Sequence, residues 1–126
     1  MTEQIILTTG IYDAIKEQLR RKKVSAEEET RLAAELRGAK QVLRRDLPED
    51  VVTVDRVVTV KDHTANEEQE YIFVASNKAK PKKNKHSILS DIALATVGYK
   101  VGDIINWPFR DGERKIEILK VENWEN

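Results

Sequence analysis

The hydrophobic period of this chain changes at Pro48, and that change limits the possible folds more than any other feature. Proline disfavours helix in the residue before it, so a helical segment closes at Leu47. Upstream, apolar residues recur at three- and four-residue intervals; downstream they come in β-branched runs. The chain is therefore read as a helical unit, 1–47, and a β-rich unit, 48–126, with room for one modest core in 126 residues.

In the first unit, Ile5-Ile6-Leu7 leads into Thr8-Thr9-Gly10, where a threonine can accept from the first free amides of a helix. A helix beginning near Gly10 puts Ile11, Ile15 and Leu19 on one narrow stripe. Arg20, Arg21, Lys22 and Lys23 close it with cations, which suit the negative end of the helix dipole. Ser25-Ala26-Glu27-Glu28 then reads as a capping box, and Glu27, Glu28 and Glu29 place negative charge at the positive end of a second helix. Leu32, Leu36, Ala39 and Leu43 continue a coiled-coil spacing toward Leu47. Two such stripes joined by about three residues around Val24 bury each other by folding back antiparallel. The helical rise makes the helices about 20 Å and about 30 Å long, with the turn between them the most exposed part of the molecule.

After Pro48, strands are expected at Val51–Val54, Val57–Val60, Tyr71–Val74, Ile104–Trp107 and Lys115–Val121. The last alternates polar and apolar residues and should keep one face wet. Asp62 to Asn66 and the pair Asp111-Gly112 carry turn chemistry, the latter a hairpin signal. Between them, Ser87-Ile88-Leu89 reads as a short strand, Ser90 as a cap and Ile92 to Val97 as a helix stopped by Gly98. The fold class is α+β, an N-terminal antiparallel helical hairpin followed by an antiparallel β domain with one short helix.

Catalytic chemistry finds little to stand on. His63 and His86 fall in polar loops, there is no cysteine, and no Gly-x-Ser-x-Gly elbow occurs. The absence of cysteine also excludes disulfides and thiolate metal sites. Lys78, Lys80, Lys82, Lys83 and Lys85 form a run without an acid, read first as a solvated loop and second as a contact for phosphates or an acidic surface. No aromatic residue interrupts the run to stack on a base. At the hairpin turn, Arg21, Lys22 and Lys23 face Glu27, Glu28 and Glu29 as mutually neutralising charges. An exposed acidic tip that holds a metal ion inside a channel is the alternative there.

With 22 basic and 22 acidic residues, no net field draws the molecule to nucleic acid or an anionic membrane. Charged residues nonetheless make up 35% of the chain, against roughly 25% in ordinary domains, which an exposed helical element explains. The opening residues lack a basic leader with a long apolar run, and no stretch approaches the ~20 apolar residues of a membrane span. A soluble, cytoplasmic protein without a membrane partner is expected.

Three strings in order resemble a known family: Pro48-x-x-Val51-Val52-Thr53, Ala95-x-x-Gly98-x-x-Val101-Gly102-Asp103, and Trp107 followed by Asp111-Gly112. From Leu47 onward the chain resembles the carboxy-terminal domain of the bacterial Gre transcript-cleavage factors, and more closely the Rnk proteins, regulators of nucleoside diphosphate kinase. The resemblance implies an FKBP-like β domain that docks on core RNA polymerase at the rim of the secondary channel, the hairpin pointing inward. The family's docking segment, typically Ser-Pro-Leu-Gly, falls on Ser90, Asp91, Ile92 and Ala93, with Asp91 in place of the proline. Gre factors carry an acidic pair to the catalytic metal on a long coiled coil; this hairpin is far shorter, so Glu27, Glu28 and Glu29 are not assigned that role.

The expected function is thus a non-enzymatic, monomeric regulator of transcription elongation that binds polymerase without stimulating transcript cleavage. It needs no cofactor or metal and touches nucleic acid weakly or indirectly. A genuine cleavage factor is the alternative within the family; an FKBP-like peptidyl-prolyl isomerase is the alternative from another class, and fold alone does not license that activity.

Overall fold

The computed structural model describes residues 4–124; residues 1–3 and 125–126, the outer ends of the two expected units, lie outside the described residues. Strand β1 (Ile6–Thr8) runs directly into helix α1 (Thr9–Arg20), because the Thr8 hydroxyl accepts from the Ile11 amide and caps the helix. Helix α2 (Ala26–Gly38) starts on the expected capping box: Glu28 N donates to Ser25 Oγ at 3.2 Å, and Ser25 N donates to Glu28 Oε1 at 3.3 Å. Lys22, with a φ of 52°, turns the chain back between them.

Helix α2 ends earlier than the leucine spacing implies. Gly38 is a poor helix former, Ala39 is already extended, and the chain enters strand β2 (Lys40–Val42), which pairs in parallel with β1. Leu43, expected on the helical seam, is 55% exposed, and a single 3-10 turn covers Arg44–Asp46. The 13-residue α2 is therefore about 20 Å long, not about 30 Å. Non-local pairing with β1 outweighed a periodic pattern that local propensity could not sustain.

The sheet comprises β3 (Arg56–Asp62), β4 (Glu67–Val74), β5 (Lys85–Ser87), β6 (Ile104–Phe109) and β7 (Gly112–Asn123), in the order β5-β4-β3-β7-β6. Every neighbouring pair is antiparallel except β4 with β5. Helix α3 (Asp91–Thr96) precedes β6. The architecture is α+β, two helices followed by an antiparallel-rich sheet.

Three local expectations shift. Val51 to Val54 form no ladder beyond a bridge from Val51 to Lys100, since Asp55 at a φ of 62° breaks the extended run. The strand expected at Ser87 to Leu89 lies instead at Lys85–Ser87. In the last hairpin, Phe109 pairs with Gly112, so Arg110 and Asp111 form the two-residue turn and the glycine follows it at a φ of 127°. A β-bulge opposite Thr59 and Val60 shifts the register of β7, so that Val121 packs toward the core.

One core joins the whole chain. Ile11, Ile15, Leu32 and Leu36 of the helices share a cluster with Val58, Phe73, Leu94, Trp107 and Ile118. Gly98 makes the closest junction: at a φ of 87° it stops α3, its carbonyl accepts from Ile6 N at 3.1 Å, and its own amide donates to Val52 O. A Cβ there would meet Ile5 Cβ at 2.8 Å, so only glycine admits the N-terminal strand. Among the described residues, no helix is long and apolar enough to cross a membrane.

Candidate functional site

The start of α3 borders a cleft of about 420 Å³ between the sheet and the β6–β7 turn. Ser90 stands at the cap position, yet its hydroxyl makes no cap bond and, though buried, has no hydrogen-bond partner among the described residues. Instead the Asp91 carboxylate accepts from the Ile92 amide at 2.7 Å. Ser90, Asp91 and Ile92 line the cleft, whereas Ala93, expected beside them, is fully buried in the core and offers no surface. A helix turns each successive side chain by about 100°, which separates neighbours in sequence onto different faces.

The opposite wall came from residues that the sequence did not assign to a docking site, among them His86, which lies on β5 and not in a loop. Tyr71 stacks on Phe73 at 5.8 Å between centroids and meets the His86 ring edge-on at 5.1 Å. Tyr71 and Phe73 are two apart on β4 and so share one face, Phe73 in the core and Tyr71 at the cleft. Burial, and secondarily the Asp91 carboxylate, raises the Tyr71 hydroxyl above its ordinary value, so it stays a neutral donor. Arg114 lies over Phe109 at 5.6 Å and bonds both Asp111 and, at 3.3 Å, Asp62. Asp62 in turn accepts from the Thr64 and Ala65 amides at 2.9 and 3.0 Å, which holds its carboxylate in place. The cleft is thus half aromatic and half charged. Alternating aromatics on β4 were the available sequence signal; the Asp62–Arg114 pair had none, being 52 residues apart.

The hairpin turn lies against the sheet, where a projecting finger was expected. Lys22, Lys23, Ser25 and Glu27 share a cavity with Pro108 and Arg110 of the β6–β7 end, and Val24 packs against the core. Arg21, Lys22 and Lys23 are exposed; Arg21 pairs with Glu17 at 2.8 Å and Lys22 with Glu29 at 3.6 Å across the turn. Glu28 is only 4% exposed, its second oxygen accepting from the Trp107 indole N–H at 3.1 Å. Of the three acids, one is therefore engaged in the interior, one is ion-paired, and Glu27 is exposed with no ion-pair partner among the described residues.

Further along α2, Tyr99 donates its hydroxyl hydrogen to buried Glu35, whose carboxylate also lies 3.7 Å from Arg31. Arg31 spans the contact, stacked 5.3 Å above Trp107 and donating to the Asn106 carbonyl at 2.6 Å. Burial pushes the Glu35 carboxyl up to about 7, against the pull of Tyr99 and Arg31. The lysine run forms a closed loop at the β5 edge of the sheet, the edge opposite the β6 strand that α2 touches, with Lys78, Lys80 and Lys85 around a cavity shared with Trp124.

The family model for "Transcription elongation factor, GreA/GreB, C-term" matches residues 47–123, which hold the cleft, the sheet and the Gly98 junction. The chain belongs to the GreA/GreB family. Among its relatives, the transcription elongation factor GreA of Clostridium botulinum (strain Langeland / NCTC 10281 / Type F) is 44% identical over 86 residues, covering 68% of this chain and 54% of that protein. The GreA of Clostridium novyi (strain NT) is 41% identical over the same length. The chain spans about half the length of the curated relatives it matches. A solved GreA/GreB factor from Nitrosomonas europaea superposes with a TM-score of 0.68 at 25% identity, covering 96% of this chain and 99% of that one. Thermus aquaticus Gfh1 shares the fold, with a TM-score of 0.52 at 15% identity, covering 97% of this chain and all of that one.

Proposed function

We propose that this GreA/GreB family member is a regulator of transcription elongation that binds core RNA polymerase at the secondary channel and does not stimulate transcript cleavage. The observation that carries the reading is the pairing of an open docking cleft at the start of α3 with a hairpin whose central acid is buried against Trp107. Ser90, Asp91 and Ile92 offer a polymerase surface one apolar contact flanked by polar groups. Among the described residues, the short helices and the ion-paired tip leave no free acidic pair at the hairpin to reach a metal in the polymerase active centre.

On this reading the protein acts as a cytoplasmic monomer with no cofactor, and Arg21, Lys22 and Lys23 supply a cationic rim whose polymerase contacts set its orientation. The prolyl-isomerase alternative needs a largely apolar, aromatic-lined pocket. Here Asp62, Glu67, Asp91 and Arg114 line the cleft with charge, which favours a polar protein surface over a prolyl ring.

Competition with a full-length GreA for core polymerase tests the docking. Displacement of GreA by this chain, lost on Ile92→Arg, is expected; unchanged binding of the variant overturns the assigned surface. Incubating the chain and magnesium with a stalled elongation complex tests the second half, and shortened transcripts would establish cleavage stimulation instead.

A further inference from the structure

The five-lysine run lacks an aromatic partner in sequence, but the tertiary structure supplies one. Strand β7 pairs with β3 through Asn123 and Arg56, and the Trp124 amide then donates to the Asp55 carbonyl at 3.1 Å, which delivers the indole to the lysine loop. Lys85 Nζ lies 4.9 Å from the centre of that ring. Trp124 and Lys85, with Lys78, Lys80, Asn77 and Asp55, enclose a cavity of about 510 Å³.

The loop is held rigidly. Lys80 N donates to Lys85 O at 2.8 Å and Lys85 N to Lys80 O at 3.1 Å, closing a 3-10 turn over Pro81–Lys83. Asn84 completes it at a φ of 61°, its side-chain amide donating to the Glu70 carbonyl at 2.8 Å. The cost of ordering the backbone around a ligand is therefore already met by the fold.

Four of its lysines also make no ion pair among the described residues, although the Asp55 carboxylate lines the same cavity. Arg20, Arg21, Lys22, Lys120 and Arg114 all have carboxylate partners, yet Lys78, Lys80, Lys82 and Lys83 have none among the described residues. Four ammonium groups on one short loop repel each other, and an anion relieves that repulsion.

We propose that this lysine-walled pocket binds single-stranded nucleic acid, with one base stacked on Trp124 and the flanking phosphates on Lys78, Lys80, Lys82, Lys83 and Lys85. A phosphate draws the Lys85 ammonium off the indole face, and a base takes its place. Asp55 and Asn77 offer a carboxylate and an amide to the edge of that base. A duplex keeps its bases stacked on each other and cannot use the indole, while an acidic protein surface would use the lysines alone. This inference goes beyond the polymerase reading and needs no polymerase to test.

The test is fluorescence anisotropy of the purified chain with a labelled single-stranded RNA of about 15 nucleotides, compared with a duplex of equal length and with polyglutamate. Between about 50 and 200 mM salt, engagement of the lysines should give a log–log slope of roughly −3. Trp107 is fully buried, so any quenching of tryptophan emission on binding reports Trp124. Trp124→Ala should weaken the single strand by ~5-fold or more with the slope unchanged, and Trp124→Phe should restore most of the loss. The triple variant Lys78→Gln, Lys80→Gln, Lys85→Gln should flatten the slope. These side chains lie outside the core, and circular dichroism of each variant confirms its fold. Absence of binding, equal binding of duplex or polyglutamate, or indifference to Trp124→Ala in a folded protein would each overturn the proposal.

Discussion

At Gly98 the N-terminal strand meets the sheet domain backbone to backbone, whereas along α2 the same contact runs through buried polar side chains. The Gly98 junction has no side chain and no charge; its strength lies in close approach, and its weakness is steric. The α2 junction sets two carboxylates, Glu28 and Glu35, against Trp107, Tyr99 and Arg31. Buried polar groups hold only while every partner is present and correctly protonated. One junction should therefore respond to added volume and the other to lost donors and to pH.

The largest effect is expected from Gly98→Ala. The methyl group would sit 2.8 Å from Ile5 Cβ on a backbone at a φ of 87°, combining left-handed strain with overpacking, about 2–5 kcal/mol together. Urea denaturation should show a lower midpoint; an unchanged one would remove Gly98 as the steric junction.

Next comes the pH response of Glu35, held at about 7 against an ordinary 4.5. The folded chain prefers the protonated acid, so this contribution is complete below the ordinary value and is lost as pH rises through about 7. The difference is at most roughly 3 kcal/mol. Comparing wild type with Glu35→Gln from acidic to alkaline pH should show wild type losing stability across that window and the glutamine variant holding level in it. Parallel curves would mean that Glu35 is not desolvated in solution.

Trp107→Phe removes the N–H that Glu28 accepts and, at this fully buried position, also leaves a void where the five-membered ring stood, so the Glu28→Gln background isolates the share of the lost donor. Leaving that buried carboxylate oxygen unpaired should cost about 1–3 kcal/mol. Thermal melts would detect it, and the added change Glu28→Gln should recover part of the loss. The smallest effect is expected at the cap: Ser25→Ala removes the acceptor for Glu28 N and should cost about 1 kcal/mol, without altering the pH response. A loss matching that of Gly98→Ala would show that α2 depends on its cap more than on the sheet.

Much of the fold was legible because its signals act within a few residues. The Ser25–Glu28 box, the Thr8 cap, the Gly98 stop and the β-branched strands beyond Asp55 all appear near their expected places. The end of α2 was not legible, since Leu43 continued the periodic pattern while the competing partner of Lys40–Val42 was the distant β1. The site was legible only in part. Ser90, Asp91 and Ile92 do border the cleft, but Ala93 turns inward, and Tyr71, Asp62 and Arg114 join from three other strands.

By itself the sequence determined most of the helix starts, strands and turns, and where the charges concentrate, because capping, period and turn chemistry are local. Only the tertiary structure decided what those charges face. Glu28 reads locally as a cap, yet an indole 79 residues away makes it a buried anchor. The lysine run reads as solvated, yet β3–β7 pairing brings Trp124 beside it. Pairing across such distances depends on sheet register and the shared core, which no short window of residues encodes.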